Sequence, residues 1–274
     1  MRARSRVSLL GAAAVLAAGG AALAAQALPT SQPNIIQIYR EQIKAGHAMA
    51  HKANESGWPE AFAQAGSTDY YLAMESMTGR SEVWFVAPFE SYAAVGKSME
   101  QTESDPVLSA ALGRLAMADA EHLDGVDVLE AVAVPELSHG QFPDLNRMRF
   151  WEISIWRIRP GHERRFAEAA AAYKQVATKA APDARWRMYR VTAGLPDASY
   201  ISFSSVVSFG EFDEMMASGN AVMQAASPEV QTLLSSFMAE GAISLVSNKY
   251  RLDPSMSYVS AETKATDPAF WNKK

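Results

Sequence analysis

NIIQIYREQIKAGH, from Asn34 to His47, and RFWEISIWRIRPGH, from Arg149 to His162, stand 115 residues apart in a chain of 274 and share one pattern. In each, a run of alternating Ile and aromatic residues passes through a basic residue (Lys44, Arg159) to a glycine (Gly46, Gly161). His47 or His162 follows where helix-like sequence begins. Period-two alternation predicts a strand, and the glycine predicts the turn that leads into a helix. The same offset sets YYLAMESMTG (Tyr70–Gly79) against RWRMYRVTAG (Arg185–Gly194) as a second strand. Third strands follow, VWFVA (Val83–Ala87) and YISFSSV (Tyr200–Val206). The second follows the extra residues LPDAS (Leu195–Ser199), which read as a longer hairpin loop.

Beyond that loop the offset becomes 120, and Phe89 and Tyr92 align with Phe209 and Phe212, spaced as on the buried side of a short helix. A further helix opens with Asp105-Pro106 in one copy and Ser227-Pro228 in the other. Each pair reads as an N-cap followed by proline at the first helical position. Final strands end at LEAVAVP (Pro135) and NKYRLDP (Pro254). Each copy thus reads β-α-β-β-α-β, a ferredoxin-like order with its second helical region in two pieces. The first repeat spans 34–135, the linker 136–148 and the second repeat 149–258. Residues 259–274 read as a mobile polar tail in which Phe270 and Trp271 could dock.

Ahead of the repeats, Arg2, Arg4 and Arg6 precede an Ala/Leu/Gly-rich stretch from Val7 to Leu23, and Ala25-Gln26-Ala27 offers a small-x-small cleavage site. This is the layout of a secretory signal peptide, residues 1–27, and it predicts an exported protein, periplasmic or extracellular. Removal of those three arginines takes the formal charge from −5 to −8. An acidic chain of this kind is a poor partner for nucleic acid or an anionic membrane surface. The absence of cysteine excludes disulfides, thiolate nucleophiles and cysteine-ligated metals.

A ferredoxin-like half with basic-x-Gly-His after its first strand, an F-x-x-A-x-x-x-Y helix (Phe166, Ala169, Tyr173) and a later Phe-x-x-Phe/Tyr helix resembles the dimeric α+β-barrel superfamily, and within it NIPSNAP-like proteins. The resemblance implies an α+β fold in which two ferredoxin-like βαββαβ repeats of one chain pair their sheets into a barrel, as a monomeric pseudo-dimer or a homodimer of it. Members include cofactor-free monooxygenases, isomerases and haem-binding enzymes, so the fold alone does not select a reaction. The reading is of a protein that binds a small apolar or aromatic molecule in its barrel, with cofactor-free monooxygenase or isomerase-like chemistry. A non-catalytic protein with a filled barrel is the alternative, and haem binding a lesser one.

For the site, Ile36 and Ile38, matched by Trp151, Ile153 and Ile155, are expected to pack under the helices. The opposite face of the first strands, including Tyr39, Glu152 and Trp156, is then expected to line the lumen. Tyr39, Trp84, Trp156 and Trp186 are candidate ligand-binding walls. Glu75, Glu152 and Arg190 are candidate catalytic groups, with Glu75 and Arg190 at equivalent positions of the two copies and able to meet across the barrel. His47 and His162 read as helix-start residues. His51 follows His47 by four residues, but Phe166 stands at the corresponding position of the second copy, so no metal site and no cofactor are expected.

Overall fold

The computed structural model describes residues 28–273, so the signal-like segment 1–27 lies outside the described residues. The first half contains β1 (Ile35–Ile43), α1 (Ala48–Glu55), α2 (Gly57–Gln64), β2 (Tyr71–Ser76), β3 (Glu82–Phe89), α3 (Tyr92–Ser104), α4 (Pro106–Asp119) and β4 (Leu123–Ala133). The second contains β5 (Phe150–Ile158), α5 (Glu163–Ala180), β6 (Arg187–Ala193), β7 (Ser199–Val206), α6 (Glu211–Ala225), α7 (Pro228–Glu240) and β8 (Ala242–Tyr258). Two short helices, α8 (Ala261–Thr266) and α9 (Pro268–Trp271), close the chain.

The strands form a closed antiparallel barrel in the order β1-β3-β2-β8-β5-β7-β6-β4. Within each half the order is that of a ferredoxin-like sheet, β4-β1-β3-β2 and β8-β5-β7-β6. Two seams join the halves. β2 meets β8 from Tyr71↔Tyr258 to Ser76↔Tyr250, and β4 meets β6 from Glu130↔Ala193 to Ala133↔Tyr189. Closure satisfies backbone groups that a free sheet edge would leave unpaired.

Local signals explain the elements. The Asp105 carboxylate accepts hydrogen bonds from the backbone N–H groups of Val107 and Leu108, and the Ser227 hydroxyl from that of Val230, each ahead of a proline in the first turn. The first strands break register at matching places, between Gln42 and Ile43 and between Arg157 and Ile158. The first helical region of the first half is itself broken, at Ser56, where α5 is continuous.

Two expectations need correcting. Pro254 does not end the last strand. β8 runs through it as a bulge, because Asp253 collects the backbone N–H and hydroxyl of Ser255, while the Ser257 hydroxyl donates to the Asp253 carbonyl and accepts from the Ala73 N–H. Nor is the segment after Val259 a mobile polar tail. Ser260 and Asp267 cap α8 and α9, Arg149 pairs with Asp267 at 2.7 Å, and Trp271, 3% exposed, joins the main apolar core with Val259 and Met148. Among the described residues no helix is long and apolar enough to cross a membrane.

The seams depend on close backbone approach. Gly194 ends β6 with φ +89°, and a Cβ there would lie 2.1 Å from the Val128 carbonyl oxygen of β4. Gly161 has nearly the same φ, +87°, but open space around it. We therefore expect Gly161→Ala to cost about 1–2 kcal/mol, the left-handed strain alone. Gly194→Ala should cost clearly more, because the β4–β6 seam must also move apart. Urea unfolding of the two variants compares them directly, and equal losses would show that the seam tolerates the extra carbon.

Candidate functional site

Which face of each strand points inward is decided by the core. Ile36 and Ile38 of β1, Leu72 and Met74 of β2, Trp84 of β3, Leu129 and Ala131 of β4, Trp151 and Ile153 of β5, Tyr189 and Val191 of β6, Ile201 of β7, and Tyr250 and Leu252 of β8 form one buried cluster. A cluster fed by all eight strands is the barrel lumen. Separate clusters lie between the outer face and the helices, one around Ile43, Ala73, Val83 and Phe85, another around Ile158, Phe166, Tyr200 and Phe237.

The expected assignment of faces is therefore inverted. The apolar row of Ile36, Ile38, Trp151 and Ile153 fills the lumen, and the mixed row faces out. Tyr39 is 43% exposed. Glu152 is half-buried on the outer face, and Arg190 is exposed. Trp156 packs beneath α5 against Phe166. Glu75 meets not Arg190 but Arg251 on β8, at 2.6 Å, a partner it reaches across the seam. Of the seven candidates Trp84 alone points into the lumen, while Trp186 stands at its rim. The mixed row owes its polarity to the helix interface and to solvent, whereas the lumen is lined mainly by apolar side chains.

The lumen has two unlike ends. At one, Glu82, almost fully buried, accepts hydrogen bonds from Trp84 Nε1 (2.9 Å) and the Tyr250 hydroxyl (2.5 Å) on one oxygen, and from Arg40 Nε (2.8 Å) on the other. The carboxylate is paired and its oxygens are occupied, which is what a buried charge requires. Trp84 and Tyr250, with ring centroids 5.6 Å apart, fill this half.

At the other end lies a cavity of about 90 Å³, almost wholly apolar and bordered by Met74, Trp151, Trp186, Tyr189 and Phe203. Leu28 and Pro29, with Phe142, Pro143 and Leu145 of the linker, cover it from outside the barrel. Arg187 lies at its edge, 8% exposed, donating to the backbone carbonyls of His139 (2.6 Å) and Gly140 (2.9 Å). No carboxylate pairs with it among the described residues, and burial lowers its pKa. Burial also raises that of Tyr189 beside it, against the pull of the Arg187 charge.

The histidines separate. His47 and His162 occupy the N-cap positions of α1 and α5, but neither side chain caps its helix. His47 Nδ1 instead faces His122 Nδ1 at 3.0 Å. His51 turns inward between α1, β1 and α4, where Glu41, Glu55 and Asp119 surround it. Burial, with Asp119 nearby, pushes the Glu41 carboxyl up to about 7. Burial, followed by Glu41 and Asp119, pushes Glu55 up to about 9. Sequence reasoning missed this grouping. Its signal was the 115-residue offset, which sets Glu41, His51 and Glu55 against Trp156, Phe166 and Ala170.

No protein-family profile matches this sequence, and no curated protein matches it. Solved structures do. A candidate monooxygenase from Fusobacterium nucleatum superposes with a TM-score of 0.54 at 9% identity, over 81% of this chain and 93% of that one. An anthrone oxidase-like protein gives 0.52 at 12% identity, over 82% and 93%. A chlorite dismutase variant from Candidatus Nitrospira defluvii gives 0.50 at 12%, over 82% and 94%. This chain has the dimeric α+β-barrel fold. At such identities the likeness is one of fold, with both ferredoxin-like halves supplied here by a single chain.

The raised carboxyl of Glu55 fixes the sign of a pH effect. Between about 4.5 and 9 the unfolded chain has already lost a proton that the folded chain still holds, so stability falls as pH rises through that window. Glu55→Gln, always neutral, lacks this slope. With divalent ions removed, the stability of the wild type relative to Glu55→Gln should drop by more than about 1.4 kcal/mol, one pKa unit, between pH 5 and pH 9. Urea unfolding at the two pH values measures it, and parallel profiles would show that Glu55 is ionised in the folded protein.

Proposed function

We propose that the protein binds a small, mainly apolar or aromatic molecule in the cavity at the linker end of the barrel, and that it does so as an exported protein. The observation that carries this reading is an apolar, aromatic cavity with one buried cation, Arg187, at its edge. Burial of apolar surface supplies affinity, and a sparse polar group fixes orientation. An anionic or carbonyl oxygen on the ligand would answer the guanidinium, which has no carboxylate partner among the described residues.

Cofactor-free monooxygenase or isomerase-like chemistry belongs to the same proposal, supported by a fold shared with a candidate monooxygenase and an anthrone oxidase-like protein. So does the finer kinship with NIPSNAP-like proteins, which rests on the basic-x-Gly-His turns and the Phe166, Ala169, Tyr173 helix. A volume of about 90 Å³ is well below the roughly 300–1,000 Å³ of pockets for drug-sized ligands, so the ligand is a single small ring or its equivalent. The filling of the other half by Trp84 and Tyr250 favours the second reading, a non-catalytic barrel.

Two measurements test these points. Benzoate and toluene, titrated by heteronuclear NMR, should both perturb Trp151, Tyr189 and Phe203, with benzoate the tighter of the two. In Arg187→Met that preference should vanish. Absence of binding by either probe, together with no small molecule in native mass spectra of the protein from its natural source, would leave the filled-barrel reading. For export, N-terminal sequencing of the protein from that source should begin at Leu28. A start at Met1 would refute the signal-peptide reading.

A further inference from the structure

The layer between the barrel and helices α1, α2 and α4 holds a group of polar side chains that folding alone does not require. His51 is 1% exposed, Asp119 2% and Glu55 3%, and Glu41 is half-buried. One donor atom from each of the four lies within 4.8 Å of those from the other three. His51 Nδ1 is 2.9 Å from Asp119 Oδ2, which leaves His51 Nε2 aimed at Glu41 Oε2, 3.8 Å away. His51 Nε2, Glu41 Oε2 and Asp119 Oδ1 are buried with no hydrogen-bond partner among the described residues, as is Tyr71 Oη close by. A buried polar atom without a partner costs about 1–3 kcal/mol, so such a concentration needs a reason.

The second half of the chain is the control. At the corresponding place Trp156, Phe166 and Ala170 stand for Glu41, His51 and Glu55, and Phe166 packs on Tyr200 at 4.6 Å and on Phe237 at 5.6 Å. The same space in the same fold is filled by apolar side chains, so nothing in the architecture calls for three carboxylates and an imidazole.

We propose that Glu41, Glu55 and His51, through Nε2, form a binding site for one divalent transition-metal ion, with Asp119 positioning the imidazole through Nδ1. Metal-bound histidines commonly donate their other ring nitrogen to a carboxylate in this way. Donors held about 2.1 Å from a common ion in a tetrahedral shell lie about 3.4 Å apart, so donors standing up to 4.8 Å apart close by as much as about 1.4 Å on binding. The donor set selects among ions. Carboxylates with one imidazole and no thiolate suit Mn²⁺, Fe²⁺ and Zn²⁺, while Mg²⁺ and Ca²⁺ prefer all-oxygen shells. Half-buried Glu41 is the approach from solvent. The site lies outside the lumen, and Tyr71, which lies near Glu55 and Glu41, also borders the cavity. The proposal stands independently of ligand binding in the barrel.

The test uses the chain from Leu28 onward, stripped with EDTA and titrated with Mn²⁺ or Zn²⁺ by calorimetry, with the unfolding midpoint and the Mn²⁺ electron paramagnetic resonance spectrum as further readouts. One ion per chain should bind and raise the midpoint, with Mg²⁺ and Ca²⁺ at least about 10-fold weaker. Asp119→Asn should weaken binding by about 10–100-fold. The double variant His51→Phe, Glu55→Ala installs the residues of the second half. It should fold, as its circular dichroism would show, and lose stoichiometric binding. Absence of a stoichiometric ion on the stripped wild type, or undiminished affinity in the double variant, overturns the proposal.

Discussion

Closure of the barrel is the constraint on which everything else rests. Each half supplies a four-stranded sheet with helices on one face only, and neither sheet alone could bury its other face or pair its outer strands. The two seams, β2 with β8 and β4 with β6, solve both problems together. They pair the free edges and turn two bare faces into one lumen. Gly194 sits where β6 crosses β4 with no room for a side chain, and Glu75 and Arg251 tie β2 to β8 across the other seam.

Once the lumen is closed, its two ends are filled differently. One end takes a paired carboxylate, Glu82, held by Trp84, Tyr250 and Arg40. The other end keeps an apolar cavity roofed by the linker and the start of the described chain. The linker is thus part of the site's wall: its His139 and Gly140 carbonyls hold Arg187 in place. The two halves of the chain diverge on the outer face. There a dry aromatic cluster around Phe166 corresponds to the polar group around His51.

The order of elements was legible in the sequence because it is written in local chemistry: alternation in strands, glycine at turns, Asp-Pro and Ser-Pro at helix starts. The two-half architecture followed from the 115-residue offset. The α+β-barrel expectation agrees with the closed ring of eight strands. What failed was subtler. Both faces of β1 and β5 are partly apolar, because one packs under helices and the other fills the lumen, so alternation identified two faces without saying which was inside. Tyr39, Glu152 and Trp156 were misplaced by that inversion, while Glu75 and Arg190, on β2 and β6, face out as well and do not meet. Pro254 and the last residues were misread because a bulge organised by Asp253 and a docking surface for Trp271 exist only after strands distant in sequence have met.

By itself, then, the sequence determined the repeated β-α-β-β-α-β order, the turn glycines, the helix caps and an acidic chain without cysteine. Tertiary structure alone decided which row of side chains became the lumen, that Arg187 would lie buried beside backbone carbonyls, and that Glu41, His51, Glu55 and Asp119 would converge. The reason is physical. Secondary structure follows from interactions between residues a few positions apart. Burial, pKa and donor geometry depend on neighbours brought from far along the chain, as Asp119 is to His51 and Tyr250 to Glu82.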